Sequence, residues 1–294
     1  DISAAGIENV TLSTSGSKSE VQDLTFAAAK SLTINADEAL RVDGTLNLAN
    51  TATKTLSVSG DSEVRLDAVN TDGALETVTV SGAASYRQDD ALSSSVKTVD
   101  ASGTSGVLTV TSGAKTTAIT GGAGDDVINV GTNVYDGTAA VNAGEGADTL
   151  VLAEEALTAA TGANLQGFET ARLTGGGDSY NFSQFTGSTI SAVELVGTGA
   201  VTTTNMNATQ AAAVTLLNDA TTVNLGVKDA TDPGTDDSVT LTLDNTTKDT
   251  DTDISGDVVV AGVETLNIVS NGNADSTATN GDELNSVAGL AGST

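Results

Sequence analysis

A phrase of alternating residues recurs along this chain and limits what it can fold into. It reads GIENVTLS at 6–13, ALETVTVSG at 74–82, GFETARLTG at 167–175 and GVETLNIVS at 262–270. Looser copies are SVKTVDASG at 95–103 and SAVELVGTG at 191–199. Between the copies run other period-2 segments: SLTINAD, TLNLAN, TLSVSG, EVRLDAV, VLTVTSG and SVTLTLD. Successive side chains of a strand point to opposite faces, so this alternation predicts short, half-buried strands. They come at intervals of roughly 8–12 residues, separated by Gly, Asn, Asp or Ser, which leaves a sandwich, a barrel or a solenoid.

A sandwich would need two-residue Asn-Gly or Asp-Gly hairpin turns and aromatic anchors for a thick core. Both are scarce. Aromatic residues make up 2% of the chain, with no Trp, four Phe and three Tyr. Bulk must come from Val, Leu, Ile and Ala, which suits thin, regular layers. In a parallel β-solenoid, or β-helix, like residues stack on like, and small branched side chains form continuous interior ladders. The expected fold is therefore all-β, a parallel β-solenoid with coils of about 20 residues stacked about 4.8 Å apart. Short helical insertions are expected in EEALTAATGANLQGF at 154–168, where helix formers follow an acidic first turn, and around Gln210–Ala213. Three stretches result: coils over 1–118, a glycine–aspartate segment over 119–185 with its helix near 154–165, and coils with acidic loops over 186–294.

With 11 basic and 39 acidic residues the formal net charge is -28, so phosphate backbones and anionic membranes are poor partners. Divalent cations are the natural counter-ions. The chain has no His and no Cys, which removes Ser-His-Asp and Cys-His catalysis, thiolate–zinc sites and disulfides together. No apolar run approaches the roughly 18 residues of a membrane span.

Residues 121–129, GGAGDDVIN, carry a more specific order than a turn requires. They fit G-G-x-G-x-D-x-U-x, with U a large aliphatic residue, at Gly121, Gly122, Gly124, Asp126 and Ile128. AGEGADTLV at 143–151 repeats the pattern at Gly144, Gly146, Asp148 and Leu150, with Ala143 in first place. The glycines allow backbone angles that turn carbonyl oxygens inward. The aspartate adds a carboxylate, and the aliphatic residue anchors the next strand. Two such turns, stacked, would surround a hard cation such as Ca²⁺ with about six oxygens.

These residues resemble the calcium-binding nonapeptides of the repeats-in-toxin (RTX) family. The strict match covers about thirty residues, while the recurring G-h-E-T-h-x-h phrase (h, hydrophobic) over most of the chain looks like RTX-type bacterial surface-layer (S-layer) proteins. The resemblance implies a secreted structural protein that self-assembles into a calcium-dependent lattice on the cell surface, and it implies type I secretion. It also implies a secretion signal and a region that attaches to surface polysaccharide or lipopolysaccharide; neither is recognisable here, and both are expected beyond these residues. An RTX adhesin or surface fibre is the alternative, and the calcium-binding part of a secreted enzyme a more distant one; no catalysis is expected within this chain. One departure stands out: Asp126 and Asp148 are 22 residues apart, where a regular array would place them 18 apart. The pairing survives only if the extra residues, in GTNVYDGTAA, loop out.

Weaker acidic candidates are Asp178 in the decayed turn GGGDSYNFS, Asp236 and Asp237 in KDATDPGTDDS, and Asp251 and Asp253 in DTDTD. The last lacks the Gly and the twelfth-position Glu of an EF-hand. The Glu of each E-T phrase (Glu8, Glu76, Glu169, Glu264) is expected to face solvent or cap a coil.

Overall fold

The computed structural model describes residues 1–48, 52–71, 74–130, 139–152, 159–230, 236–244, 252–271 and 285–291. It is an all-β parallel solenoid. The chain divides into two compact units, one of Asp1–Leu150 with Asn164–Phe168 and one of Val151–Ala163 with Glu169–Thr294.

In the first unit the chain alternates between two sheets. Ser31–Ala36 lies in one, Leu40–Asn47 in the other, then Thr55–Gly60 and Val64–Asn70 repeat the step. Each strand pairs in parallel with the strand one coil on, at register steps from 18 residues (Thr109↔Val127) to 24 (Leu40↔Val64). One column carries most of the fold: Val10, Leu32, Leu56, Val78, Val99, Ile119, Val141 and Leu165 are successive register partners. From Leu32 onward each is at most 2% exposed. The recurring phrase is the local signature of this ladder: Val78 directly follows Glu76-Thr77, and Val99 directly follows Lys97-Thr98 in a looser copy.

Leu165 also explains why the helix predicted near 154–165 stops early. The described helical residues are Ala159–Gly162 alone, and Leu165–Gln166 is already a strand. Seating Leu165 on Val141 buries it completely, which a surface helix turn would not do. Leu157 and the acidic first turn, Glu154 and Glu155, lie outside the described residues.

The second unit repeats the construction with longer steps, from 21 residues (Val193↔Val214) to 35 (Val223↔Val258). Its ladder runs Ala171, Val193, Val214, Leu241, Ile268. The helical turn expected around Gln210–Ala213 forms at Ala208–Ala211, fixed by a capping box between Asn207 and Gln210. No helix among the described residues is long and apolar enough to cross a membrane.

Glu8, Glu76 and Glu169 cap coils through their carbonyls, with side chains exposed or half-buried, whereas the exposed Glu264 donates its N to Asp237 O. The carbonyl of Glu76 accepts from Lys97 N and Thr98 N, and that of Glu169 accepts from Ser191 N and Ala192 N. The Glu8 side chain pairs with Lys30 at 2.7 Å, and that of Glu76 with Lys54 at 2.6 Å and Lys97 at 3.0 Å. Hydrogen bonds from Lys54 and then Lys97 lower the Glu76 carboxyl from 4.5 to about 2. A depressed carboxylate stabilises the fold above its unfolded pKa and loses that contribution as pH falls through the folded one. Glu76→Gln should therefore melt lower than the parent chain near pH 6, with the difference closing between about pH 4.5 and 2. Melting curves across that range test it; because the pair is exposed, the effect is small.

Candidate metal centre

The Gly121–Asp126 turn follows strand Ala118–Thr120, and the Ala143–Asp148 turn follows Ala140–Asn142. These strands are register partners 22 residues apart, Ile119↔Val141 and Thr120↔Asn142. The 22-residue spacing that departs from a regular array is thus the length of this coil, and the turns stack directly. Glu145 N donates to Gly122 O at 2.9 Å, Thr149 N to Asp126 O at 2.8 Å, and Ala147 N to Asp125 Oδ1 at 2.8 Å. Residues 131–138, most of the segment expected to loop out, lie outside the described residues.

Asp126 and Asp148 are 0% exposed. They extend a column that is otherwise apolar or aromatic: Leu40, Val64, Tyr86 and Leu108 are register partners, and Leu108 and Asp126 immediately precede the paired Thr109 and Val127. A carboxylate in that position needs strong polar partners. Asp126 Oδ1 accepts from Leu108 N at 2.7 Å and Oδ2 from Gly122 N at 2.9 Å, while Asp148 Oδ1 accepts from Asp126 N at 2.7 Å. Each aspartate therefore ties its own turn to the coil before it. Burial pushes the Asp126 carboxyl above its ordinary value; the Leu108 and Gly122 amides oppose that shift, and the Asp125 charge adds to it.

The glycines hold oxygens where no side chain fits. A Cβ on Gly121 would overlap Asp126 Oδ2 and the Ala143 carbonyl oxygen. One on Gly122 would overlap the Thr104 carbonyl and come within 2.9 Å of the Ala101 carbonyl. One on Gly124 would lie 2.5 Å from Gly106 O, and one on Gly146 2.5 Å from Gly124 O and 3.2 Å from Asp148 Oδ1. Gly144 and Gly146 adopt φ of +105° and +138°, conformations that L side chains rarely take.

These donors fit a hard cation in kind. An ionised Asp offers about four lone-pair sites, of which Asp126 commits two to amides, and the remaining donors are carboxylate and carbonyl oxygens, the set that Ca²⁺ selects. Among the described residues no group of three or more acidic side chains gathers to hold a metal. A centre here would rest on Asp126, Asp148 and main-chain oxygens. Ala101, Thr104, Leu108 and Asp125 were not expected to take part; the only hint was the Thr104–Gly106 spacing, which underlies Gly122–Gly124 one coil earlier.

The weaker candidates are dispersed. Asp178 is half-buried in the turn before Ser179–Asn181, and its carbonyl accepts from Thr202 N. Asp236 is exposed, and Asp237 lies beside Glu264, whose Oε2 accepts Asp237 N at 2.7 Å. Asp253 Oδ1 accepts from Ser286 N and Oγ, at 2.8 and 2.7 Å, so it joins two strands. Asp251 lies outside the described residues. Compared with known proteins, the chain matches no family model, and no curated protein sequence matches it.

Proposed function

We propose that the chain is the structural part of an RTX-type bacterial surface layer: a secreted solenoid, stabilised by Ca²⁺ at the stacked glycine–aspartate turns, that assembles with copies of itself on the cell surface. The observation that carries this reading is the direct stacking of the two turns, with both aspartates buried among main-chain oxygens. The physical mechanism is linkage. A chain of net charge -28 repels itself when compact, and a divalent cation bound only by the folded coils offsets that repulsion. Each such site contributes about 2.7 kcal/mol at a hundredfold excess of ion over Kd. When bound, the ion would add positive charge beside the buried Asp126 and Asp148. A catalytic role is not part of the proposal.

The test starts from chelated protein and adds Ca²⁺ while following thermal unfolding, β-sheet circular dichroism and particle size. Stabilisation followed by ordered two-dimensional sheets is the expected result. Stabilised monomers that never assemble would transfer the proposal to an adhesin or fibre. Indifference to Ca²⁺ would remove it and leave the turns as cross-links between coils.

A further inference from the structure

At one of the breaks in the regularity of the second unit, several departures converge on a cavity. Of the chain's seven aromatic residues, three lie within six positions: Tyr180, Phe182 and Phe185. Phe182 and Phe185 sit on a 3₁₀ turn, their rings 5.2 Å apart and tilted by 40°. Across from them, the pairing of Ala200–Met206 with Thr222–Val227 slips between Thr203 and Met206, a bulge that places Asn205 at φ +56°. Among the described residues the only other non-glycine with positive φ is Asp229, beside Lys228. Bulges and left-handed residues cost energy and concentrate where a side chain must be re-aimed.

The cavity so formed measures about 530 Å³, within the range of small-molecule sites. Its apolar lining is Phe182, Phe185 and Ile190, all buried. Its polar lining is largely neutral. Asn205 spends its Nδ2 on Asn181 Oδ1 at 2.9 Å, which leaves Oδ1 as an acceptor. Asn207 spends its Oδ1 on Gln210 N at 3.0 Å, which leaves Nδ2 as a donor. Ser183 and Thr189 add hydroxyls, and Lys228 is loosely matched by Asp229 at 3.7 Å.

We infer that this cavity binds an uncharged pyranose sugar. The C–H face of a sugar ring matches phenyl and aliphatic surface, and neighbouring hydroxyls match amides that offer one donor and one acceptor. The overall charge of -28 disfavours an anionic ligand, and the one lysine of the lining has the Asp229 carboxylate 3.7 Å away. The site requires neither the ion nor the lattice proposed above.

The test uses the full chain in Ca²⁺-containing buffer, titrated calorimetrically with glucose, mannose, galactose, N-acetylglucosamine and a tetrasaccharide of each. Saturable binding of at least one sugar is expected. Asn205→Gly, which keeps the left-handed backbone and deletes the amide, should weaken it at least tenfold. Thr189→Trp, at an exposed position on the rim, should abolish it by filling the cavity while leaving the melting temperature unchanged. A tetrasaccharide bound more tightly than its monosaccharide identifies a polysaccharide as the source, and equal affinities identify a single free ring. Absence of binding across the panel overturns the inference, as does binding that survives both substitutions. So would a glucuronate-bearing oligosaccharide that bound better than every neutral one.

Discussion

Asp126→Ala is expected to destabilise the fold by about 1–5 kcal/mol, because it strips the acceptor from the buried Leu108 amide and the partly buried Gly122 amide, the buried one worth about 1–3 kcal/mol when left unsatisfied and the other less. Those amides belong to Leu108, 18 residues earlier, and to Gly122 in the same turn, so the loss separates one coil from the next. Removing a buried ionised carboxylate recovers part of this cost, which favours the lower half of the range. Asp126→Asn keeps one acceptor but turns an NH₂ toward the second amide, and should lie between the parent and the alanine variant. Denaturant unfolding with and without Ca²⁺ separates the two roles of this residue. If it is a ligand, the ion stabilises the parent and neither variant. If the penalty is the same in both buffers, Asp126 is a cross-link only and the calcium proposal fails.

Gly144→Ala should be comparably severe for a different reason. The backbone there sits at φ +105°, and an added Cβ would overlap the carbonyl oxygen of Gly122 in the coil beneath. Strain of about 1–3 kcal/mol adds to an overpacking cost of about 1–3 kcal/mol, and the colliding atom is backbone, held by its own bond from Glu145 N. Gly177→Ala is the matched control: φ is +97°, but nothing lies within 4 Å of the new Cβ. Its cost is strain without collision. Equal unfolding midpoints for the two variants would show that the stacked turns have room to spare, contrary to the close approach described here.

Much of the architecture was readable because interior ladders are side-chain events. Val78 follows Glu76-Thr77 and Val99 follows Lys97-Thr98 in similar phrases, and the structure makes them register partners. The scarcity of aromatics similarly argued for a thin core. The helix expected near 154–165 ends on Leu165, but an apolar residue there can equally supply one rung of a ladder. Only its neighbour in space, Val141, decides between the two.

The sequence by itself determined the all-β solenoid, the acidic surface and the two glycine–aspartate turns, since each is written in residue types at fixed spacing. Tertiary structure decided that Asp126 and Asp148 meet. It set the coil between them at 22 residues through Ile119↔Val141, so a spacing that looked irregular along the chain is exact register in space. It also brought the Ala101 and Thr104 carbonyls to the same turns, and gathered Phe182, Asn205 and Lys228 from three separate coils around one cavity. Main-chain oxygens are common to every residue, and coil length depends on how neighbouring strands align, so neither leaves a signature in the order of the side chains.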